Sequence, residues 1–341
     1  MFDMRAPGQG ASQASAGVLS PYIEAKPGST LLAMGSRSLT MWDEFVARLR
    51  PRASGINFEY SRSGTLEVAL NDQDAARLTR SAEWLHTAGV AHEWMRGAAA
   101  RTFAPAIAPN AVGGLFVAEH GFVNVSALVR ALTSAARLSG AVCVTPIEVL
   151  HIEQQRDFVV VRVGDESHDF DHVVLSAGSW TRRVRVAGLP VFPVRPIRGQ
   201  LLHLKWTTAT PPQQSIWGGR CYTVPWSDGS VLVGATVEDV GFDERSTVAG
   251  VRELMDAAIE LLPDAASASL ESVRVGLRPA TADQLPLLGS LTNHPRIVIA
   301  AGHYRNGILL APLTADIVSR LILDNDPDPV LDQLDPGRSR V

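Results

Sequence analysis

The sequence has little cysteine and few aromatic residues, and it has no long apolar run. Only two cysteines occur in 341 residues, Cys143 and Cys221, far apart and in apolar surroundings, so no disulfide framework can be written and two buried thiols in a reducing compartment are expected. No stretch reaches the roughly 18–20 apolar residues that span a bilayer, and the N-terminus has no apolar core of a secretion signal. A soluble cytoplasmic protein with no membrane partner is the expectation. The formal net charge is −4 and no Lys/Arg-rich run is present, which argues against nucleic acid as a partner. GxSxG, HExxH and GxxxxGK[ST] are all missing. The nine histidines never fall at metal-ligand spacing: His86 and His92 flank a helix end, and His168 and His172 flank a strand, so no metal is expected. GxGxxG is also missing. Gly8-Gln9-Gly10 comes nearest, but Gln13 stands where a third small residue belongs and no strand precedes the turn.

What is present is an ordinary globular composition, 46% hydrophobic and 19% charged, on a chain long enough for two domains. Residues 29–49 place Leu31, Leu32, Leu39, Trp42, Phe45, Val46 and Leu49 on one helical face, with Ser29 as N-cap and Pro51 as the stop. Residues 125–138 read as an amphipathic helix capped by Asn124 or Ser126 and ended by Gly140, and Ala141–Val144 then resembles a buried strand. FVVVRVG and FDHVVLSAG read as Val-rich strands. RIVIAAGHYRNGILLAPLTADIVSRLIL reads as a strand, a glycine loop and a long helix. Between Leu189 and Ala235, short strands broken by Pro, Gly and Asp-Gly indicate antiparallel sheet. The sum is an α/β nucleotide-type domain interleaved with a second domain built on antiparallel sheet. The Asp/Pro-rich tail from Asp324 is expected to fray.

Three places have the residue types that chemistry needs. Met1-Phe2-Asp3 can be the end of a strand, and an acid there can hydrogen-bond a ribose; a solvent-exposed terminal acid is the equal alternative. The small residues of GQGASQASAGVL then form a loop that a flat cofactor can approach closely. Gly302–Leu310 turns between a strand and a helix, where backbone N–H groups and a helix N-terminus favour an anion; a plain connector is the alternative. Arg278, in GLRPATADQLPLLG, presents a planar fork matched to a carboxylate, and Tyr222 and Arg220 sit on the antiparallel sheet where they can share its cavity; a structural salt bridge and core packing are the alternatives.

The succession GASQASAGVLSP, HGFVNVSALVRAL with GAVCV, HVVLSAGSW, PVRPIRGQLL, GLRPATADQLPLLG and AGHYRNGILLAP resembles the FAD-dependent amino-acid oxidases of the D-amino-acid oxidase superfamily, and within it the glycine oxidases. The resemblance runs from about residue 2 to about residue 325, and GLRPAT with GHYRNGILLAP is its most specific part. It implies a Rossmann-like FAD-binding domain from residues 1–55, 110–185 and 272–330, a substrate domain from 56–109 and 186–271, and a tail at 331–341. FAD is the implied cofactor. Asp3 is implied on the adenosine ribose, Ala16, Gly17 and Leu19 along the isoalloxazine, and Val149 at the adenine. Gly178 and Trp180 are implied near the cofactor, with Asn306, Gly307, Ile308 and Leu309 at the pyrimidine edge. Arg278 is implied on the substrate carboxylate with Tyr222 beside it, and Arg305 beside the ring. Arg220 departs from a His found in some relatives and adds positive charge near the substrate, which puts glycine itself in doubt.

The implied reaction is oxidative deamination of glycine or another small amino acid or amine. Hydride leaves Cα, an imine and then a 2-oxo acid and ammonia form, and molecular oxygen is reduced to hydrogen peroxide; the imine would serve thiamine-thiazole synthesis. The rival readings are a dehydrogenase with another acceptor and a truncated fragment without flavin. Members of the family begin with a strand, GxGxxG and a helix, a unit on the order of 30 residues. This sequence resembles a chain starting after that first βα unit, so a misplaced start, poor folding and weak FAD binding are the expectations. The sequence says nothing of oligomeric state; a homo-oligomer is compatible with it.

Overall fold

The computed structural model describes residues 1–338. Its largest sheet has eight strands, in the order Ser269–Ala280, Arg195–Lys205, Ser230–Gly234, Tyr222–Pro225, Ser215–Trp217, Thr65–Ala69, Gly113–Val117 and His92–Arg96. Neighbours run antiparallel, as expected for 189–235, except where Ser215–Trp217 lies parallel to Thr65–Ala69 and joins the two halves. Alternation along the strands gives the sheet two buried faces. Leu202, Leu204, Val231 and Val233 pack with Leu254, Ala257, Ala258 and Leu261 of the helix Val248–Leu261. Leu201 and Leu232 turn the other way, to Ala16 and Phe122.

Beside it lies a sheet in which Val173–Leu175 runs parallel to His294–Ala301, and the latter pairs antiparallel with Leu287–Leu291. A four-stranded sheet, ordered Arg185–Val186, His151–Gln154, Val159–Val163 and Glu166–Phe170, and a three-stranded one, Val18–Leu19, Gly121–Val123 and Tyr60–Ser61, complete the architecture. The mixed α/β reading of the sequence therefore holds. No helix among the described residues is long and apolar enough to cross a membrane.

The capping signals hold closely. Ser29 caps Thr30–Leu49 by accepting from the Leu32 N–H at 3.2 Å, and Asn124 caps Val125–Leu138 by accepting from Ala127 at 3.1 Å. Trp42 and Leu39, on the first of these helices, are fully buried with Val125 and Leu128 of the second.

Several expectations are corrected. Ala141–Val144 is not a buried strand: only Val144 pairs, in a single parallel bridge with Phe2, and Val142 is 70% exposed. With a partner on one side for one residue only, the apolar run has nothing to be buried against. Cys143 is accordingly half-buried, and Cys221 alone is buried. The tail does not fray within the described residues. Asp328 is buried between Arg37, at 2.7 Å, and Arg320, at 2.9 Å, and Leu334 of the turn Leu331–Leu334 is fully buried. The helix after the glycine loop is Ala311–Leu323, so Arg305–Leu309 form a string of turns ahead of its N-terminus rather than the N-terminus itself.

Candidate active site

A cavity of about 1780 Å³ runs from Asp3 past the small residues 8–17 to Tyr222 and Arg278. Its first wall is the opening segment. Asp3 is fixed through its backbone: its N–H donates to Val144 O and its carbonyl accepts from Ile147. The turn Ala11–Ala14 lies against Gly276 of the strand Ser269–Ala280, an approach that larger side chains would block. Gly17 has φ +74°, and a side chain there would collide with the Val123 carbonyl, because the Val123 N–H donates to Gly17 O at 2.9 Å. Farther along, Trp180 is covered by the Arg5 guanidinium at 4.4 Å and met by Phe242 at 5.8 Å. Arg5 in turn forks onto Glu244 at 2.9 and 2.5 Å.

At the other end, Arg278 projects from the strand Ser269–Ala280. Its Nη1 donates to the Thr236 carbonyl at 2.9 Å and to Arg198 O at 3.4 Å, and its plane lies against Gly199, which has no side chain to displace it. Tyr222 stacks on Trp217 at 4.8 Å and lies over Gly234, where a Cβ would come within 2.5 Å of the phenol oxygen. Its hydroxyl makes no hydrogen bond among the described residues. Burial pushes the phenol pKa up, so it remains a donor. Arg220 lines the rim, where Glu260 at 2.9 Å pairs its charge.

Between these ends lies the turn after His294–Ala301. The Tyr304 N–H donates to Pro279 O at 2.8 Å, so the residue before Arg305 is bonded to the residue after Arg278. That bond brings two motifs 27 residues apart in the chain to one place. Leu309 O accepts from Ser38 Oγ at 2.6 Å and Trp42 Nε1 at 3.0 Å, which ties the turn to the helix Thr30–Leu49. The N–H groups of Arg305, Gly307, Ile308 and Leu309 have no acceptor among the described residues, while those of Asn306 and Leu310 do. His303 bonds Thr314 Oγ1 at 3.0 Å, and burial lowers its pKa to about 4, so it is neutral.

Asp3, Ala16, Gly17, Val149, Gly178 and Trp180 all line this one cavity. So do Tyr222, Arg278, Arg305 and Asn306–Leu309. Leu19 does not: it is fully buried with Leu39 and Trp42, and its neighbour Val18 lines the cavity, as strand alternation requires. Sequence reasoning missed Glu24, which lines the cavity from the end of the turn Pro21–Glu24; nothing local in the sequence marks it. The arrangement fits a flavin. Unpaired N–H donors gather at one turn, small residues form a wall, and an acid stands at the far end.

Residues 1–321 match the family of FAD dependent oxidoreductases designated DAO. The chain is 34% identical over 336 residues to a bifunctional ThiO/ThiG protein of Nostoc, covering 97% of this chain and 50% of that protein. It is 30% identical to a glycine oxidase of Geobacillus kaustophilus, covering 94% of this chain and 85% of that one. The crystal structure of glycine oxidase from Geobacillus kaustophilus superposes with a TM-score of 0.93, covering 99% of this chain and 91% of the other. The chain spans about half the length of the bifunctional relatives.

Proposed function

Since the chain belongs to the DAO family of FAD-dependent oxidoreductases, we propose that it oxidises a small amino acid at Cα to an imine. Glycine is the first candidate, on the strength of the glycine oxidase relatives. The observation that carries the reading is the convergence of Arg278, Tyr222 and Arg305 on one cavity through the Tyr304–Pro279 hydrogen bond.

Arg278 receives the substrate carboxylate. With Nη1 committed to Thr236 O, its remaining N–H groups have no acceptor among the described residues and are left for a ligand of the cavity that Arg278 lines, and the protonated Tyr222 hydroxyl supplies a further donor. Together they hold Cα in one orientation, the main contribution a protein makes to a transfer between bound partners. The N–H groups of Gly307, Ile308 and Leu309, without acceptors among the described residues, would hold the pyrimidine edge of a flavin and favour negative charge there without reorganising. Asp3 serves the ribose, and the walls from Ala16, Gly17, Val149, Gly178 and Trp180 flank the rest. A bound flavin supplies the two-electron acceptor. Oxygen is the proposed final acceptor, with hydrogen peroxide, a 2-oxo acid and ammonia as products. The names of the ThiO/ThiG relatives support thiazole synthesis as the destination of the imine.

The test is anaerobic mixing of the flavin-loaded protein with glycine, sarcosine and D-alanine, followed by admission of air. Bleaching of the flavin absorbance by at least one of them, and peroxide on reoxidation, is the expected result. Bleaching without peroxide in air would replace the oxidase with a dehydrogenase, and no bleaching by any amino acid would refute the reading.

A further inference from the structure

Glu24 ends the turn Pro21–Glu24, whose position is fixed on every side. Pro21 is buried against Gly35, the Ile23 and Glu24 N–H groups donate to Ser20 O, and Ser20 Oγ bonds Thr65 Oγ1 at 3.2 Å. The Glu24 carboxylate itself makes no hydrogen bond and no ion pair among the described residues, although it borders the cavity that Arg278, Arg305 and Tyr222 share. A carboxylate half-buried without a partner has lost hydration that nothing in the chain replaces. The guanidinium groups of Arg278 and Arg305 border the same cavity, yet neither closes an ion pair with it among the described residues. Between them is a space with an anion receptor on one side and a cation receptor on the other.

A zwitterion presents both charges at the spacing of a single carbon. We propose that Glu24 receives the amino group of the substrate and takes its surplus proton, so that the ammonium and the carboxylate become a neutral amine and a carboxylic acid. One N–H bond breaks and one O–H bond forms, and the lone pair left on nitrogen is the pair that forms the imine when hydride departs from Cα. This rests on the amino-acid oxidase reading above.

The electrostatics have the right sign. Burial raises the proton affinity of Glu24, while Arg305 and Arg278 lower it, leaving it above an ordinary glutamate. A substrate carboxylate seated on Arg278 cancels part of that opposition, so the proton affinity rises further when a substrate arrives. Among the described residues, the charged and titratable groups acting on Glu24 are Arg278 from the strand Ser269–Ala280, Arg305 from the turn after His294–Ala301, and Tyr222 from the strand Tyr222–Pro225. On its own turn, Tyr22 is engaged by Glu119 at 3.2 Å.

The experiment compares flavin-loaded wild type, Glu24→Gln and Glu24→Asp. The rate of anaerobic flavin reduction by the best amino acid, divided by its dissociation constant, is followed from about pH 6 to about pH 10. Wild type is expected to be nearly flat around neutrality. In Glu24→Gln the rate should fall about tenfold per pH unit below the pKa of the substrate ammonium, because only the free amine reacts, and should recover at high pH. Glu24→Asp should keep the wild-type profile at a reduced rate, and it carries the test if the Gln variant does not fold. A second readout needs no turnover: 2-aminoisobutyrate has no Cα hydrogen, and glycolate has no amine. Glu24→Gln should weaken the first at least about tenfold, equal to about 1.4 kcal/mol, and leave the second unchanged. Parallel pH profiles for all three proteins, or equal weakening of both ligands, would overturn the role of Glu24 while leaving amino-acid oxidation intact. A wild type that no amino acid reduces would overturn the oxidase reading itself.

Discussion

At the scale of single residues, the site depends on how Arg278 is held. Its Nη1 is fixed by two main-chain oxygens, so the guanidinium is oriented before any ligand enters. Replacing it with alanine removes a charge-assisted fork worth about 2–4 kcal/mol. The expected result for Arg278→Ala is a loss of roughly 10²–10³ in kcat/KM, mostly in KM, with flavin content unchanged by absorbance. A variant that lost flavin and kept its KM would remove Arg278 from the substrate. The sequence made Arg278 visible because an arginine between apolar residues needs a partner, Tyr222 through its place on the antiparallel sheet, and Arg305 through the family resemblance alone. Glu24 was not visible, because its importance lies in lacking a partner, and partners are set by the fold. The oxygens of Thr236 and Arg198 were equally hidden, since any residue can offer a carbonyl and only the pairing of Arg195–Lys205 with Ser269–Ala280 decides which one does.

At the scale of elements, the helix Thr30–Leu49 reaches the site without touching the cavity's polar end. Ser38 Oγ and Trp42 Nε1 both donate to Leu309 O and so fix the turn whose N–H groups are free. Ser38→Ala removes one donor from a fully buried pair and is expected to cost about 1 kcal/mol of stability. Flavin dissociation should quicken in parallel, read by fluorescence after dilution, because the turn that offers the donors has lost one restraint. Unchanged dissociation at lowered stability would mean the turn is rigid without that bond. This helix and Val125–Leu138 were legible from periodicity and caps because their signals are local. The start of Ala311–Leu323 was not legible because the preceding turns imitate a helix, with Leu310 N–H donating to Asn306 O. Ala141–Val144 was misread because a short apolar run reports a preference for burial, and whether anything is available to bury it is decided elsewhere in the chain.

At the scale of the whole molecule, the C-terminal segment is bolted to two helices far apart in sequence, Thr30–Leu49 and Ala311–Leu323. Asp328 is 5% exposed, between Arg37 of Thr30–Leu49 and Arg320 of Ala311–Leu323. Burial raises its proton affinity, but the Val330 N–H and Arg37 lower it more, and the net pKa lies below an ordinary aspartate. A carboxyl depressed in the folded state stabilises the protein above its unfolded pKa and loses that contribution as pH falls through the folded value. Asp328→Asn should therefore lower the melting temperature near pH 7, by roughly 5 °C for a loss of about 2–3 kcal/mol. The gap to wild type should close as the pH falls below about 4. A gap that stayed constant across that range would assign the effect to packing. The order of the eight-stranded sheet was the least legible feature of all, because its parallel junction pairs Ser215–Trp217 with Thr65–Ala69, residues about 150 positions apart in sequence.

A guanidinium steered by peptide oxygens takes its orientation from the course of the backbone. Any residue at 198 or 236 offers a carbonyl, and that course is kept by the buried Arg198–Glu238 pair and by the Thr236 hydroxyl bonded to Gln200 N–H and Glu238. Diversification of what this scaffold accepts is thereby expected at the opposite wall and the rim, at Glu24 and Arg220, while the proposed preference for an acid group follows the backbone. Libraries that randomise those two positions should yield altered amine and side-chain preference with carboxylate dependence retained in every active clone.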